Sequence, residues 1–225
     1  MILPWHLANP LLFEKEKAEV EASYPNLHVH VVDDVVFVRG TFPVAHEGEV
    51  FDRYQIEIEL PRGYPGSIPV VREIGGRIPC IKDFHMNPSD GTACVLLLDE
   101  RWEVWPIGSS LLEFLNVPVR NFFLGQSLVE RGDAWPFGHW KHGTDGIREY
   151  YAKLLGTDDV RGIKKYLEYL SKKKIKGHWP CACNSGKRLR DCHGDAVRGL
   201  SRKMPRQVAS ELRDRIAEMF RSSSG

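Results

Sequence analysis

The sequence has no apolar run long enough to cross a membrane. Its mean hydropathy is −0.33, and a spanning helix needs about 18 or more consecutive apolar residues. The N-terminal stretch Met1–His6 has neither the basic start nor the apolar segment of a secretion signal. These absences exclude a membrane-spanning protein and predict a cytoplasmic location.

Cysteine is scarce, and two common sequence features are missing. The chain has 5 cysteines in 225 residues, and nothing suggests export, so we expect reduced thiols rather than disulfides. There is no internal repeat and no glycine-rich nucleotide loop, so the chain is not expected to adenylate a substrate by itself. With 42% hydrophobic residues, the chain suits one ordinary domain and a small appendage.

Charge is unevenly distributed although the net charge is only +1. Residues 1–160 contain 14 Lys and Arg against 24 Asp and Glu, a balance of −10, whereas residues 161–206 contain 14 against 3, a balance of +11. The favoured interpretation of the basic segment is a solvated helix face. The alternative is a surface that docks an acidic protein or a nucleic acid. The segment has few aromatic residues for base stacking, so sequence-specific single-strand binding is not indicated.

Local patterns predict a helix followed by a four-stranded meander. Asn9 and Pro10 are typical of a helix start, and Pro25 ends the helix. Within it, Leu11, Ala18 and Ala22 share one face, with Phe13, Val20 and Tyr24 beside it. Alternating apolar residues predict strands at 27–32, 35–42, 54–60 and 68–74, and Asp33-Asp34 predicts the first hairpin turn.

The second half of the chain is predicted to be helical. Residues 108–123 form an amphipathic pattern, with Pro118 predicting a kink or an early stop. Further helices are predicted at 144–155, 157–171 and 205–220, and the lysine-rich residues 172–177 form a linker. A helix, a sheet and then further helices indicate an α+β fold.

The most informative thiol is Cys94. It ends the stretch His85-Met86-Asn87-Pro88-Ser89-Asp90-Gly91-Thr92-Ala93-Cys94, with Trp102 and Trp105 beyond it. A thiolate can act as the nucleophile in acyl transfer, and a side-chain amide can stabilise the oxyanion that forms. The alternative is a buried, small hydrophobic residue, because apolar residues 95–98 follow it. For Cys80 the structural interpretation is favoured.

This stretch resembles the active-site segment of ubiquitin-conjugating enzymes, in which His-Pro-Asn precedes a short loop, Gly-x-x-Cys and a later Trp. Tyr64-Pro65 also resembles the turn that follows the third strand of that family, and the similarity covers residues 10–155. Met86 stands where the family has Pro, and the spacing from Asn to Cys is one residue shorter. The matching positions are His85, Asn87, Gly91, Cys94 and Trp102.

The resemblance implies a ubiquitin-conjugating-like domain over residues 1–156. Cys94 would accept a ubiquitin-like C-terminus as a thioester, Asn87 would stabilise the intermediate or brace the loop, and His85 would hold the loop in shape. The implied partners are a ubiquitin-like protein or a conjugated nucleotidyltransferase, an activating enzyme and an acceptor protein. Such relatives in bacteria accompany antiphage and protein-conjugation systems. His142 begins a run similar to one in those relatives, and it either lies over the active site or satisfies a backbone carbonyl.

A second motif predicts a structural zinc site in a module at residues 177–225, joined by a helical, basic linker at 157–176. Three thiols and an imidazole lie within thirteen residues, and zinc takes four such ligands in a closed tetrahedral site, with no position open for a catalytic water. A disulfide with a spare thiol is the alternative. The ligands are Cys181, Cys183, Cys192 and His193. Their spacing, with Ser185-Gly186 between the pairs, resembles the SEC-C motif.

Two non-enzymatic alternatives remain open at this point. One is an adaptor with the same fold that carries cargo without forming a thioester. The other is an adaptor in which the zinc module binds a protein or nucleic acid and the larger domain serves as a platform.

Overall fold

The computed structural model describes residues 3–137 and 144–222. The chain divides into two compact units, Met1–Gly138 and His139–Gly225. Among the described residues, no helix combines the length and the apolarity that crossing a membrane requires.

The first unit is built on a four-stranded antiparallel sheet, as the sequence predicted. The strands are β1 (Leu27–Val32), β2 (Val35–His46), β3 (Glu49–Leu60) and β4 (Val70–Glu73), in the order β1-β2-β3-β4. Asp33 and Asp34 form the first turn with positive φ angles of 49° and 61°, which a two-residue turn between right-twisted strands requires. Alternating residues of β2 and β3 face the core and are almost fully buried; they include Val38, Phe42, Ile56, Ile58 and Leu60. The mixed α+β class is therefore confirmed.

The first unit also contains five helices among its described residues. They are α1 (Trp5–Ala8), α2 (Pro10–Ser23), α3 (Arg101–Val104), α4 (Leu111–Phe114) and α5 (Arg120–Glu130), with short 3₁₀ turns at Lys82–Phe84 and Leu98–Glu100. Helix α5 packs against β2 and β3. The residues joining α4 to α5, Leu115–Val119, form a π-helical turn that contains Pro118. Proline removes a backbone donor and disturbs the regular ladder, so the predicted irregularity occurs at that residue.

Helix α2 begins as predicted but buries a different face. The side chain of Asn9 accepts a hydrogen bond from the Leu12 N–H (3.2 Å) at its N-terminus. Leu11, expected on the buried face, is 84% exposed, and the buried residues are Glu16 and Val20. The Glu16 carboxylate accepts hydrogen bonds from the Tyr64 hydroxyl (2.8 Å) and the Leu111 N–H (2.7 Å). A buried carboxylate with two hydrogen-bond donors thus links α2 to α4. The periodicity of hydrophobic residues does not reveal such a contact.

The second unit is a small helical assembly that contains the cysteine motif. Its elements are α6 (Thr144–Leu155), α7 (Val160–Ser171), a 3₁₀ turn at Leu189–Asp191, α8 (Gly194–Ser201) and α9 (Arg206–Ser222). Helix α7 packs against α6, α8 and α9, and its aromatic and aliphatic residues are buried. Helix α7 is therefore the centre of this unit.

The sequence predicts a domain at 1–156 and a helical, basic linker at 157–176, and the compact units of the structure are divided between residues 138 and 139. Helix α6 belongs to the second of these units, and α7 is a packed core helix of the same unit. The reason is physical: Ile163, Tyr166 and Leu167 of α7 are fully buried, and only tertiary contacts show where those side chains pack.

Candidate functional site

Cys94 lies at the end of a hairpin formed by the motif segment. Met86 and Ala93 form an antiparallel bridge. The Asn87 N–H donates to the Thr92 carbonyl, and the Cys94 N–H donates to the His85 carbonyl, both at 2.8 Å. This register sets Cys94 opposite His85 and sets Asn87 two residues along the facing strand.

The hairpin is attached to the edge of the sheet. The Ala93 N–H donates to the Val71 carbonyl of β4 (2.8 Å), and Thr92 forms an antiparallel bridge with Arg72. Met86 is 3% exposed and belongs to the hydrophobic core. The residue that replaces the proline of the resembled family is thus an apolar anchor that holds the hairpin against the core.

The tip of the hairpin is organised by side-chain hydrogen bonds. The Asn87 Oδ1 accepts from the Ser89 hydroxyl (2.9 Å) and N–H (3.4 Å). The Asp90 Oδ1 accepts from the Thr92 hydroxyl (2.7 Å) and N–H (3.0 Å). Gly91 has a φ of 69°, which glycine adopts without steric cost. The Asn87 side chain therefore braces the loop between itself and Cys94.

The Cys94 side chain is exposed, but the thiol is not activated. Partial desolvation raises its pKa, and the nearby Asp90 carboxylate raises it further. The pKa of Asp90 is lowered, mainly by its hydrogen bond from the Thr92 hydroxyl, so this carboxylate is ionised at neutral pH. The thiol is therefore protonated at neutral pH, and any acyl transfer has to remove its proton during the reaction.

The backbone N–H groups of Cys94 and its two immediate neighbours are engaged. Those of residues 93 and 94 donate to Val71 and His85, and the Val95 N–H donates to the Ala93 carbonyl (3.1 Å). These three N–H groups therefore do not point to an oxyanion, and a side-chain amide is an alternative donor. Asn87, across the hairpin, carries such a group.

His85 and the tryptophans near Cys94 in the sequence pack against other side chains of the first unit. His85 adopts a left-handed conformation with a φ of 53°, and its ring lies 4.4 Å from the Trp135 ring, centroid to centroid. Trp105 is 1% exposed and packs in the core against Phe114, and Trp102 is also buried. The two tryptophans that follow Cys94 in the sequence are therefore part of the interior. His142 lies outside the described residues.

The second candidate site is the thiol and imidazole cluster of the second unit. The three cysteine sulfurs and the His193 Nδ1 all lie within 4.8 Å of one another. Neighbouring atoms are closer: Cys181 and Cys183 Sγ are 3.5 Å apart, Cys183 and Cys192 Sγ 3.5 Å, and His193 Nδ1 lies 3.3 Å from Cys181 Sγ and 3.2 Å from Cys192 Sγ. These four residues are close enough to hold a metal ion. The donor set fits a soft or borderline cation, because it contains three sulfurs and one imidazole nitrogen.

A short hairpin positions these ligands. Pro180 pairs with Arg188 in an antiparallel bridge, and the Cys181 N–H donates to the Lys187 carbonyl (2.8 Å). Asn184 has a φ of 59° and Gly186 a φ of 72°, and these conformations turn the chain between the Cys181/Cys183 pair and the Cys192/His193 pair. The spacing in the sequence thus becomes one compact cluster through local geometry.

Hydrogen bonds around the cluster favour the thiolates of Cys181 and Cys183 but not that of Cys192. Burial opposes ionisation of Cys181, but hydrogen bonds from the Cys183 backbone, the Tyr166 hydroxyl and the His193 backbone lower its pKa to about 7. The Ser185 hydroxyl, 3.2 Å from Cys183 Sγ, lowers the pKa of that thiol. Ser185 also lowers the pKa of Cys192, but the neighbouring cysteine sulfurs raise it overall.

Sequence reasoning missed two residues of the cluster's surroundings. The Tyr166 hydroxyl lies 3.2 Å from Cys181 Sγ, and it comes from α7, fifteen residues earlier in the chain. The Tyr169 hydroxyl donates to the Pro180 carbonyl (2.8 Å). The sequence did contain a signal for these contacts, because the two tyrosines lie three residues apart in the helix that precedes the motif. That spacing is also typical of the apolar face of an ordinary helix.

Glycines allow the helices to approach the cluster closely. A Cβ atom on Gly162 of α7 would stand 2.8 Å from the Ala182 carbonyl oxygen, and one on Gly156 would stand 3.1 Å from the His193 Nε2. Gly156 also has a φ of 70°. The four residues of the thiol and imidazole cluster are therefore packed directly against the helical core of their unit.

Comparisons with family models, with curated proteins and with solved structures found no match to this chain.

Proposed function

We propose that the first unit is a ubiquitin-conjugating-like acyl carrier that receives a protein C-terminus as a thioester on Cys94. The observation that carries this proposal is the hairpin. It presents an exposed thiol near the sheet edge, engages the nearby backbone amides and places Asn87 on the facing strand, two residues from the position opposite Cys94. The meander and its flanking helices are consistent with the resembled fold.

The proposed reaction is an exchange of thioesters. The Cys94 sulfur attacks the carbonyl of a thioester carried by an activating enzyme, and a new sulfur–carbon bond forms as the old one breaks. The Cys94 proton ends on the departing thiol of the activating enzyme. An amine of the acceptor protein then attacks the Cys94 thioester, forms an amide and returns the thiol. His85 and Asn87 act by holding the hairpin, and the Asn87 amide is the donor for the oxyanion.

The resemblance also suggests the setting. The cargo would be a ubiquitin-like protein or a nucleotidyltransferase with a conjugated C-terminus, in a bacterial antiphage or protein-conjugation system. The exposed thiols of Cys80 and Cys94 suit a reducing cytoplasm.

The test is a charging assay on the full chain with candidate cargo, an activating enzyme and ATP. We expect a conjugate that disappears on addition of a reductant and is not formed by Cys94→Ala. Cys80→Ala is the matched control, because Cys80 is also an exposed free cysteine, and it should be charged normally.

A third variant tests the loop. Asn87→Ala should fold and retain the Cys94 thiol but form or discharge the thioester at least about tenfold more slowly, as expected when an oxyanion donor is lost. A conjugate that persists in Cys94→Ala, or that Cys80→Ala also abolishes, would refute the assignment.

We further propose that the metal held by Cys181, Cys183, Cys192 and His193 is zinc in a structural, SEC-C-like site. Three sulfurs and one nitrogen complete a tetrahedral shell, which leaves no position for a reacting water. The purified protein should contain one zinc per chain by elemental analysis, and Cys183→Ser should lower that content. Stoichiometric iron, or zinc content unaffected by Cys183→Ser, would contradict this proposal.

A further inference from the structure

The second unit contains a concave basic surface that neither candidate site uses. It is a groove of about 540 Å³ between the end of α7, the segment after it, and the adjoining ends of α8 and α9. Six lining side chains are cationic, and all six are exposed: Lys172, Lys173, Arg198, Arg202, Lys203 and Arg206. We call this surface the basic groove.

Most of these cations form no ion pair with the residues that the structure describes. Arg198 pairs with Asp195 (2.7 Å), and Lys172 lies 3.9 Å from Glu168. Within residues 3–137 and 144–222, no ion pair involves the other four. Positive charges around one concavity, four of them without an ion pair among the described residues, repel one another unless an anion binds between them, so the groove favours a polyanion.

The N-terminus of helix α9 adds to the positive potential of the basic groove. It begins at Arg206, on the wall of the groove, and has no acidic residue in its first turn. A helix N-terminus carries a partial positive charge, and phosphate is a frequent ligand there. The helix supplements the side-chain cluster at the end where Arg202, Lys203 and Arg206 converge.

The groove lacks the features that a protein partner would need. Its apolar floor, formed by Leu170, Ile175 and Met204, is buried or half-buried. Among the described residues of the second unit, no large hydrophobic side chain is exposed. Protein interfaces depend on buried apolar or aromatic anchors, and this surface offers none. Its lining of arginines and lysines suits phosphate oxygens.

We propose that the basic groove binds the phosphodiester backbone of a nucleic-acid duplex without reading its sequence. No lining residue is aromatic, so recognition through stacked bases is not part of the proposal. This role is independent of thioester formation on Cys94.

The test measures binding of the metal-loaded full chain to a fluorescent DNA duplex of arbitrary sequence by anisotropy. Six phosphate contacts predict that affinity falls with salt with a log–log slope of about −5, or about a thousandfold between about 50 and about 200 mM. The double variant Lys173→Gln/Arg202→Gln should reduce the slope to about −3.6 and bind at least about tenfold more weakly at low salt. A second duplex of unrelated sequence should bind equally well.

The control is Lys176→Gln/Arg221→Gln. These residues are exposed cations of the same unit that do not line the groove, so the control has the same net charge as the groove variant. It should bind within about twofold of the unaltered chain, because it keeps all the groove contacts counted above. Metal content checks that both variants retain the folded cluster.

Three results would overturn the proposal. The first is absence of duplex binding by the metal-loaded chain, and the second is equal weakening in the two double variants, which would indicate diffuse charge rather than a groove. The third is tighter binding of an acidic polyglutamate peptide that competes with the duplex, which would assign the groove to an acidic protein.

Discussion

The close approach of α7 to the metal cluster can be tested with one methyl group. In Gly162→Ala, the new Cβ would meet the Ala182 carbonyl oxygen at 2.8 Å and the Thr157 side chain at 3.2 and 3.3 Å. Ala182 lies between two of the metal ligands, Cys181 and Cys183. The methyl group therefore has to displace either the helix or the ligand-bearing loop.

A second glycine in a helix of the same unit serves as the control. A Cβ atom on Gly199 of α8 would meet no atom within 4 Å. Gly199→Ala should therefore stabilise the unit by up to about 1 kcal/mol through helix propensity. Gly162→Ala gains a similar amount but also incurs overpacking strain of about 1–3 kcal/mol. The difference between the two variants isolates that strain.

The assay is thermal unfolding of the metal-loaded chain, followed by helical circular dichroism and by metal release to a coloured chelator. For a unit of this size, 1 kcal/mol shifts the midpoint by about 4–8 °C. Gly162→Ala should therefore unfold at least about 4 °C below Gly199→Ala, and it should release its metal faster. Equal midpoints and equal release rates would show that α7 does not pack against the metal loop as described.

Two further predictions concern carboxylates of the first unit. The Asp52 carboxylate accepts hydrogen bonds from Arg77 (2.7 and 2.8 Å), which lower its pKa from 3.8 to about 2. Because the folded-state pKa is the lower one, this stabilisation is present above pH 3.8 and is lost as the pH falls towards about 2. Urea unfolding should show a smaller acid-induced loss of stability in Asp52→Asn, and an unchanged loss would contradict the assignment. Burial raises the pKa of Cys94, and the Asp90 carboxylate raises it further. Asp90→Asn should therefore increase the thiolate fraction and accelerate iodoacetamide alkylation of Cys94 at neutral pH. A slower reaction would contradict the inferred effect of Asp90 on the Cys94 pKa.

Structural features that depend on residues close together in the sequence were predictable from it. The cysteine spacing predicted a metal cluster because its four ligands lie within thirteen residues and a single turn brings them together. The alternation in β3 predicted a half-buried strand because side chains alternate between the faces of a sheet. Asn9 and Pro10 predicted the start of α2 because capping is a local interaction.

Other features were decided by residues far apart in the chain. Burial of Glu16 depends on donors from Tyr64 and Leu111, and without that knowledge the apolar pattern pointed to Leu11. The position of the Cys94 hairpin depends on its bonds to β4. The sequence indicated a thiol near an amide, but only the register shows that the adjacent backbone amides are already engaged.

The basic segment shows the same distinction. Its sequence determined an excess of positive charge, and from composition alone a solvated helix face was the favoured interpretation. Tertiary packing of α7, α8 and α9 brings Lys172 and Lys173 to the same concavity as Arg198, Arg202 and Arg206. The charge of each residue can be read from the sequence. A concave surface with a positive potential forms only when cationic residues from separate helices lie close together, so only the folded unit reveals the groove.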